Sequence, residues 1–212
     1  MLTENLLSEQ HANYVSNILL GANFPYYFGA NIHNGNFTQD YDSSANATGF
    51  FHRFYDQNAQ HSDGLNTVLP YLWALLDRNG LKLDELLRVR AFLSLPNGSQ
   101  HQGFPHIDIT DLTGYKTAIV YVAGCDGETI LYNEMFDGQL LPEVHNLTEL
   151  CRVTPKPNSG IVFDGHRYHT GLLPQTSKVR LVLNFNFYAS DDDAVTDTFT
   201  PPTPEVNYET EL

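Results

Sequence analysis

The chain has 212 residues, 42% hydrophobic and 12% aromatic, enough to bury one substantial core and too apolar for a disordered segment. Acidic residues outnumber basic ones 25 to 11, for a formal net charge of -14, which argues against a protein that grips nucleic-acid phosphates through a basic stripe. Residues 190–212 carry seven acidic side chains and no Lys or Arg, yet the 18 acidic residues elsewhere still exceed the 11 basic ones. No apolar run approaches the roughly 18 residues of a membrane span, and no basic segment followed by an apolar stretch opens the chain. Two cysteines, Cys125 and Cys151, make no disulfide framework, so a cytoplasmic protein with reduced thiols is the expectation. The Asn-x-Ser/Thr sequons at Asn36, Asn46, Asn97 and Asn146 are then read as chance matches.

In chain order, Leu7, Tyr14, Val15, Ile18 and Leu19 recur at helical spacing and predict a helix over 4–20, with Gly21 placed to end it. The segment 24–28 reads as a strand. Residues 31–49, rich in Asn, Ser, Gly and Asp, read as a long loop, equally a lid or a disordered stretch. A second helix is predicted over 67–79, from Asn66 or Thr67 as N-cap to Gly80 as stop, with Val68, Leu72, Leu75 and Leu76 on its apolar face. A short helical or turn segment over 81–86 then leads into an alternating strand.

From that point the sequence changes to short strands separated by Gly, Pro and Asn turns: 88–95, 104–109, 116–123, 128–133, 151–155, 160–163, 169–173 and 178–188. Eight such strands fit a double-stranded β-helix of the jelly-roll or cupin-like kind, with the preceding helices buttressing one sheet from outside. The expected organisation is one domain over 1–189, helical over 1–86 and a β-helix core over 87–189. An acidic, proline-containing tail without a core follows over 190–212.

The chemistry centres on His106-Ile107-Asp108. In an extended strand His106 and Asp108 share a face, and with a distal His169 they form a 2-His-1-carboxylate set of the kind that holds Fe(II) with open positions left over. His169 is preferred to His166 as the third ligand because Thr170-Gly171 follows it and Arg180 lies eleven residues on. In the last strand Arg180, Val182, Asn184 and Asn186 alternate with apolar neighbours, so a cation and two amides face one way. A strand, a turn and a return strand bring Arg180 back beside the metal, where its planar fork can take a carboxylate. Asn184 and Asn186 either line that pocket or serve the strand alone. His101 sits on a Gly- and Gln-rich loop. His11, His33, His52, His61 and His145 have no chemical context and read as structural or exposed.

Together these residues resemble the Fe(II)- and 2-oxoglutarate-dependent dioxygenases, in particular the prolyl-4-hydroxylase-like branch and its small phage and bacterial relatives. The resemblance covers roughly 88–188. It includes Gly127-Glu128-Thr129, Phe163-Asp164-Gly165, Gly171 and, further upstream, Phe24-Pro25-Tyr26-Tyr27. It implies iron binding by His106, Asp108 and His169, and 2-oxoglutarate held through its distal carboxylate by Arg180. Tyr121 corresponds to a tyrosine that bonds the same carboxylate in some relatives; a buried core tyrosine is the equal alternative. The implied reaction consumes dioxygen and 2-oxoglutarate and hydroxylates an unactivated C–H. A prolyl residue in a peptide or protein is the leading substrate, ahead of a free amino acid or other small molecule. Ala123 stands where relatives often have Asn, so substrate contacts do not transfer. The competing reading is a non-catalytic jelly-roll module that binds a sugar or organic acid.

Overall fold

The computed structural model describes residues 2–29, 48–96, 104–138 and 147–191. The 31–49 loop except its last residues, His33, His101, His145, the asparagines of the four sequons and the tail beyond Asp191 fall outside them.

Two helices stand on one side of the molecule. Helix α1 (Glu9–Leu19) is capped by Ser8, whose side chain accepts from the His11 N–H, and it buries Ala12, Val15 and Leu19. Helix α2 (Leu65–Arg78) starts earlier than expected. Gly64 stands at its N-cap with no side-chain bond, while Asn66 and Thr67 lie inside its first turn. It ends as anticipated at Gly80, whose φ of 63° glycine adopts without strain. Val68, Tyr71, Leu72, Leu75 and Leu76 are buried against the sheet, and Trp73 stays half exposed.

The sheets are antiparallel throughout. The larger runs β1 (Thr3–Glu4), β9 (Ser159–Asp164), β6 (Lys116–Tyr121), β11 (Arg180–Asp191), β5 (Leu81–Ser94), β3 (Gly49–Asp56) and β2 (Tyr27–Gly29), with β4 (Ala59–Gln60) paired to β3. The smaller runs β10 (Arg167–Gly171), β7 (Thr129–Met135) and β8 (Glu149–Val153). One face of the large sheet carries Val89, Ala91, Ala118, Val120, Leu181, Leu183, Phe185 and Phe187 and packs on the helices, which form the predicted outer buttress. The other face, with Ile119, Tyr121, Ile161, Phe163 and Val182, closes on Leu131 of the small sheet. Arg180, Asn184 and Asn186 lie on this inner face, and His169 stands on β10 of the small sheet opposite.

Three expectations about elements are corrected. The segment 81–86 is neither helix nor turn but the first half of β5, so the helical part does not extend to residue 86. The ladder with β11 skips Leu87 and Asp84, and each bulge shifts the side-chain parity by one. Leu83, Leu86 and Val89 therefore all face the helix-side core at a spacing of three, which imitates a helix. The predicted strand over 104–109 is a single antiparallel bridge, His106 to His169, bonded in both directions at 2.9 and 3.0 Å. Strand β3 had no predicted counterpart; its sequence, with Phe50-Phe51 adjacent, does not alternate cleanly.

Candidate metal centre

The His106–His169 bridge fixes the site. It ties the segment carrying Asp108 to β10, and the ligand-capable atoms of His106, Asp108 and His169 come within 4.8 Å of one another. The three predicted residues thus converge although a bridge of two backbone bonds, not a strand, carries the first of them. Each imidazole is oriented from behind: His106 Nδ1 is 2.8 Å from the Phe104 carbonyl and His169 Nδ1 3.2 Å from that of Arg167. An imidazole whose Nδ1 donates to a carbonyl offers Nε2 as a lone pair, the usual arrangement behind a metal. Burial, followed by the neighbouring His169, lowers the pKa of His106 to about 4, so the ring is neutral at ordinary pH and needs no deprotonation before it binds a metal.

Asp108 is the most heavily coordinated group in this region. Its Oδ2 accepts from Asn186 Nδ2 at 2.9 Å, Asn184 Nδ2 at 3.0 Å and Thr117 Oγ1 at 3.3 Å, while Oδ1 faces the Arg88 guanidinium at 3.2 Å. Burial alone would raise its pKa. His169, Arg88, His106 and the Asn184 bond outweigh that and hold the carboxyl well below the ordinary range. The two amides of β11 are therefore carboxylate donors, and Arg88, which sequence reasoning did not single out, completes the cradle. Arg88 also donates to Asn186 Oδ1 at 2.9 Å. Tyr115 was likewise unrecognised. Its hydroxyl lies 2.8 Å from the Gly165 carbonyl and accepts from the Ile109 N–H, pinning the Asp108 segment to the β9–β10 turn. A Cβ at Gly165 would meet the Tyr115 ring at 2.2 Å, which explains the glycine after Phe163-Asp164.

Arg180 sits at the other end of the inner face of β11 and is buried. Its Nε donates to the Gly127 carbonyl at 2.9 Å and Nη2 to Thr129 Oγ1 at 2.8 Å; the same Thr129 oxygen accepts from the Tyr121 hydroxyl at 2.8 Å. A Cβ on Gly171 would lie 3.1 Å from the guanidinium, and one on Gly127 3.0 Å from Arg180 Cδ and 2.5 Å from the Leu172 carbonyl oxygen. Both glycines make room for this side chain. Gly171 is two residues from His169 along β10, about 7 Å at strand rise. The loop bearing Gly127 is clasped by Asp126, which accepts from the N–H groups of Gln175, Thr176 and Ser177 and from Thr176 Oγ1. Among the described residues no carboxylate lies within ion-pair distance of Arg180.

The remaining histidines lie elsewhere. His166 Nε2 is 2.6 Å from the Leu112 carbonyl and its ring is flanked by Tyr115 and Phe136, so it braces the turn and is not in the cluster. His52 is buried between Phe24 and Phe54, and His61 is exposed.

No protein-family model matches the chain, and no curated protein does. Solved structures do. The non-heme alpha-ketoglutarate-dependent epimerase SnoN from nogalamycin biosynthesis superposes with a TM-score of 0.58 at 13% identity, over 90% of this chain and 80% of that one. A 2OG-Fe(II) oxygenase-family oxidoreductase from Burkholderia pseudomallei gives 0.57 at 12%, over 89% and 84%. A prolyl-4-hydroxylase from Pseudomonas putida gives 0.54 at 14%, over 89% and 91%. At these identities the likeness is one of architecture: the chain has the double-stranded β-helix fold that these oxygenases share.

Proposed function

We propose that the protein is an Fe(II)- and 2-oxoglutarate-dependent dioxygenase that hydroxylates an unactivated C–H. The observation that carries this reading is the pairing of two features. A His–Asp–His cluster is pre-oriented for a metal, and the buried Arg180 guanidinium, packed against Gly171 two residues along β10 from His169, has no carboxylate partner among the described residues. The donor set suits Fe(II), since two imidazoles and one carboxylate match the ligands that leave open positions for a cosubstrate and dioxygen. In this reading His106, Asp108 and His169 hold the metal. Arg180 takes the distal carboxylate of 2-oxoglutarate. Tyr121 is proposed as a second donor to that carboxylate, its hydroxyl turning from Thr129 when the anion arrives.

Bound iron, with 2-oxoglutarate and dioxygen, would supply the oxidising power: one oxygen atom enters the C–H bond and the other enters succinate as carbon dioxide is lost. The chain's own contribution is positional. Arg88, Asn184, Asn186 and Thr117 keep Asp108 ionised and fixed, and the carbonyls of Phe104 and Arg167 set the two imidazoles. Thr129 and the carbonyl of Gly127 aim Arg180. Burial of Arg180 and Asp108 keeps water from competing at either end. A prolyl residue in a peptide is the leading substrate. The prolyl-4-hydroxylase from Pseudomonas putida shares the fold, as does a Trichoplax adhaerens prolyl hydroxylase solved with a hypoxia inducible factor peptide fragment.

The test is succinate formation from 2-oxoglutarate under air with a prolyl-peptide panel. Release that requires both iron and 2-oxoglutarate, and stops with Asp108→Ala, is expected. Succinate formation indifferent to iron would remove the proposal.

A further inference from the structure

Four of the seven arginines in this strongly acidic chain, Arg53, Arg88, Arg90 and Arg180, lie on or beside the inner face. Arg180 and Arg88 are already placed at the cosubstrate end and at Asp108. Arg53 and Arg90 are not used by the proposed chemistry. Register puts them in line with the metal site: Arg53 pairs with Arg90 across β3 and β5, and Arg90 pairs with Asn184 across β5 and β11. Asn184 is bonded to Asp108. At a strand spacing of about 4.8 Å, Arg90 is one strand and Arg53 two strands, about 10 Å, from the residue that holds the metal carboxylate.

The charges on this stretch do not balance. Asp56 alone serves two guanidiniums, at 2.6 Å from Arg90 Nη2 and 3.5 Å from Arg53 Nε. Asp108 serves the third, Arg88, and on the oxygenase reading it also serves the metal. Among the described residues three cations therefore share two carboxylates, one of them already committed. Among the described residues Nε of Arg90 has no acceptor. The stretch is also accessible where the cosubstrate end is not, with the Arg53 side chain 43% and the Arg90 side chain 25% exposed. If these ion pairs served only to fasten β3 to β5, one arginine would suffice for one Asp56.

We infer that the substrate carries a carboxylate or phosphate within about 10 Å of the carbon that reacts, and that Arg90 and Arg53 receive it. This rests on the oxygenase reading for the position of the reacting carbon and narrows its substrate class. An acidic residue or chain terminus beside the target carbon satisfies it in a peptide, and a free acid or phosphorylated metabolite in a small molecule. The net charge of the whole protein does not oppose this, because a local guanidinium cluster acts at close range while distant surface charge is screened over about 8–10 Å.

The experiment loads the full chain with Mn(II), an oxygen-inert stand-in for iron, and saturating 2-oxoglutarate. It then titrates inorganic phosphate, benzoate and neutral benzamide by calorimetry. Phosphate, benzoate or both should bind and benzamide should not, the two anion arms separating phosphate from carboxylate recognition. Arg90→Gln should weaken the anion by roughly 10-fold or more, and Arg53→Gln, at the half-exposed and least structural position, by a smaller factor. Asp56→Asn removes the competing carboxylate and should tighten it. The 2-oxoglutarate dissociation constant should stay put in all three variants. Anion binding absent, matched by benzamide or unchanged in Arg53→Gln would overturn the inference while metal and 2-oxoglutarate still bind. Failure of the unmutated protein to bind metal or 2-oxoglutarate would instead overturn the oxygenase reading and this inference with it.

Discussion

The inner face of β11 carries a buried charge environment at each end, and the two are built oppositely. At the Asn184–Asn186 end a carboxylate, Asp108, receives three neutral donors and a guanidinium from the chain itself. At the Arg180 end a cation is met only by a carbonyl and a hydroxyl, with no carboxylate among the described residues. A buried charge without a counter-charge is costly, and proteins tolerate one chiefly where a ligand completes it. The Asp108 end is thus complete before any ligand arrives, as a metal site needs to be. The Arg180 end is left open for an anion.

The largest effect should follow from breaking the complete end. Asp108→Ala removes a metal ligand and strands Arg88, Asn184 and Asn186 without their acceptor. Turnover should vanish and stability should fall by about 3–5 kcal/mol, read by denaturant melts. His169→Ala should also abolish turnover with a smaller stability loss, whereas His166→Ala should keep it; the reverse pattern would move the distal ligand to His166. At the open end, Gly171→Ala pushes a methyl to 3.1 Å from the guanidinium. That should weaken 2-oxoglutarate by an overpacking cost of order 1–3 kcal/mol while metal affinity holds. Thr129→Val keeps the shape but deletes the oxygen shared by Arg180 and Tyr121, a loss of about 1 kcal/mol, or roughly fivefold in 2-oxoglutarate affinity. An unchanged constant in both variants would mean that Gly171 and Thr129 do not set the position of Arg180.

The smallest effect concerns acid. The Asp126 carboxyl is held below the usual carboxylate range, first by the Thr176 N–H and then by the Thr176 hydroxyl and Ser177. A folded pKa below the unfolded value of about 4 means that the clasp contributes fully above that pH and is lost as pH falls below it. Amide exchange at Thr176 and Ser177, corrected for intrinsic rates, should show protection dropping below about pH 4 in the wild type and little pH dependence in Asp126→Asn.

Much of this arrangement was legible in the sequence because it sits on one well-behaved strand. The alternation of β11 correctly separated Arg180, Val182, Asn184 and Asn186 from Leu181, Leu183, Phe185 and Phe187. The sequence also pointed to the convergence of His106, Asp108 and His169, though for a reason that was only half right, since a single bridge replaces the strand. What escaped was non-local or irregular. The partner of Asn184 and Asn186 is more than seventy residues away, so nothing near them told a pocket amide from an ordinary polar face. Arg88 lies in the strand predicted over 88–95, and what escaped is its equally non-local pairing with Asp108, while the two bulges of β5 hid only the first half of that strand. The glycines at 127, 165 and 171 were recognisable as a pattern, but their physical cause, the close approach of Arg180 and Tyr115, appears only in three dimensions.

The central claim is that the open end of β11 awaits the carboxylate of 2-oxoglutarate, and one titration tests it. 2-Oxoglutarate is added to Fe(II)-loaded protein under anaerobic conditions, and the dissociation constant of the unmutated chain is compared with that of Arg180→Lys. Lysine keeps the charge and loses the bidentate fork, a difference of about 1.5–3 kcal/mol. The account predicts a constant raised roughly 10- to 150-fold with iron affinity unchanged. An unchanged constant would contradict it, leaving Arg180 as a strand residue whose buried charge has some other partner.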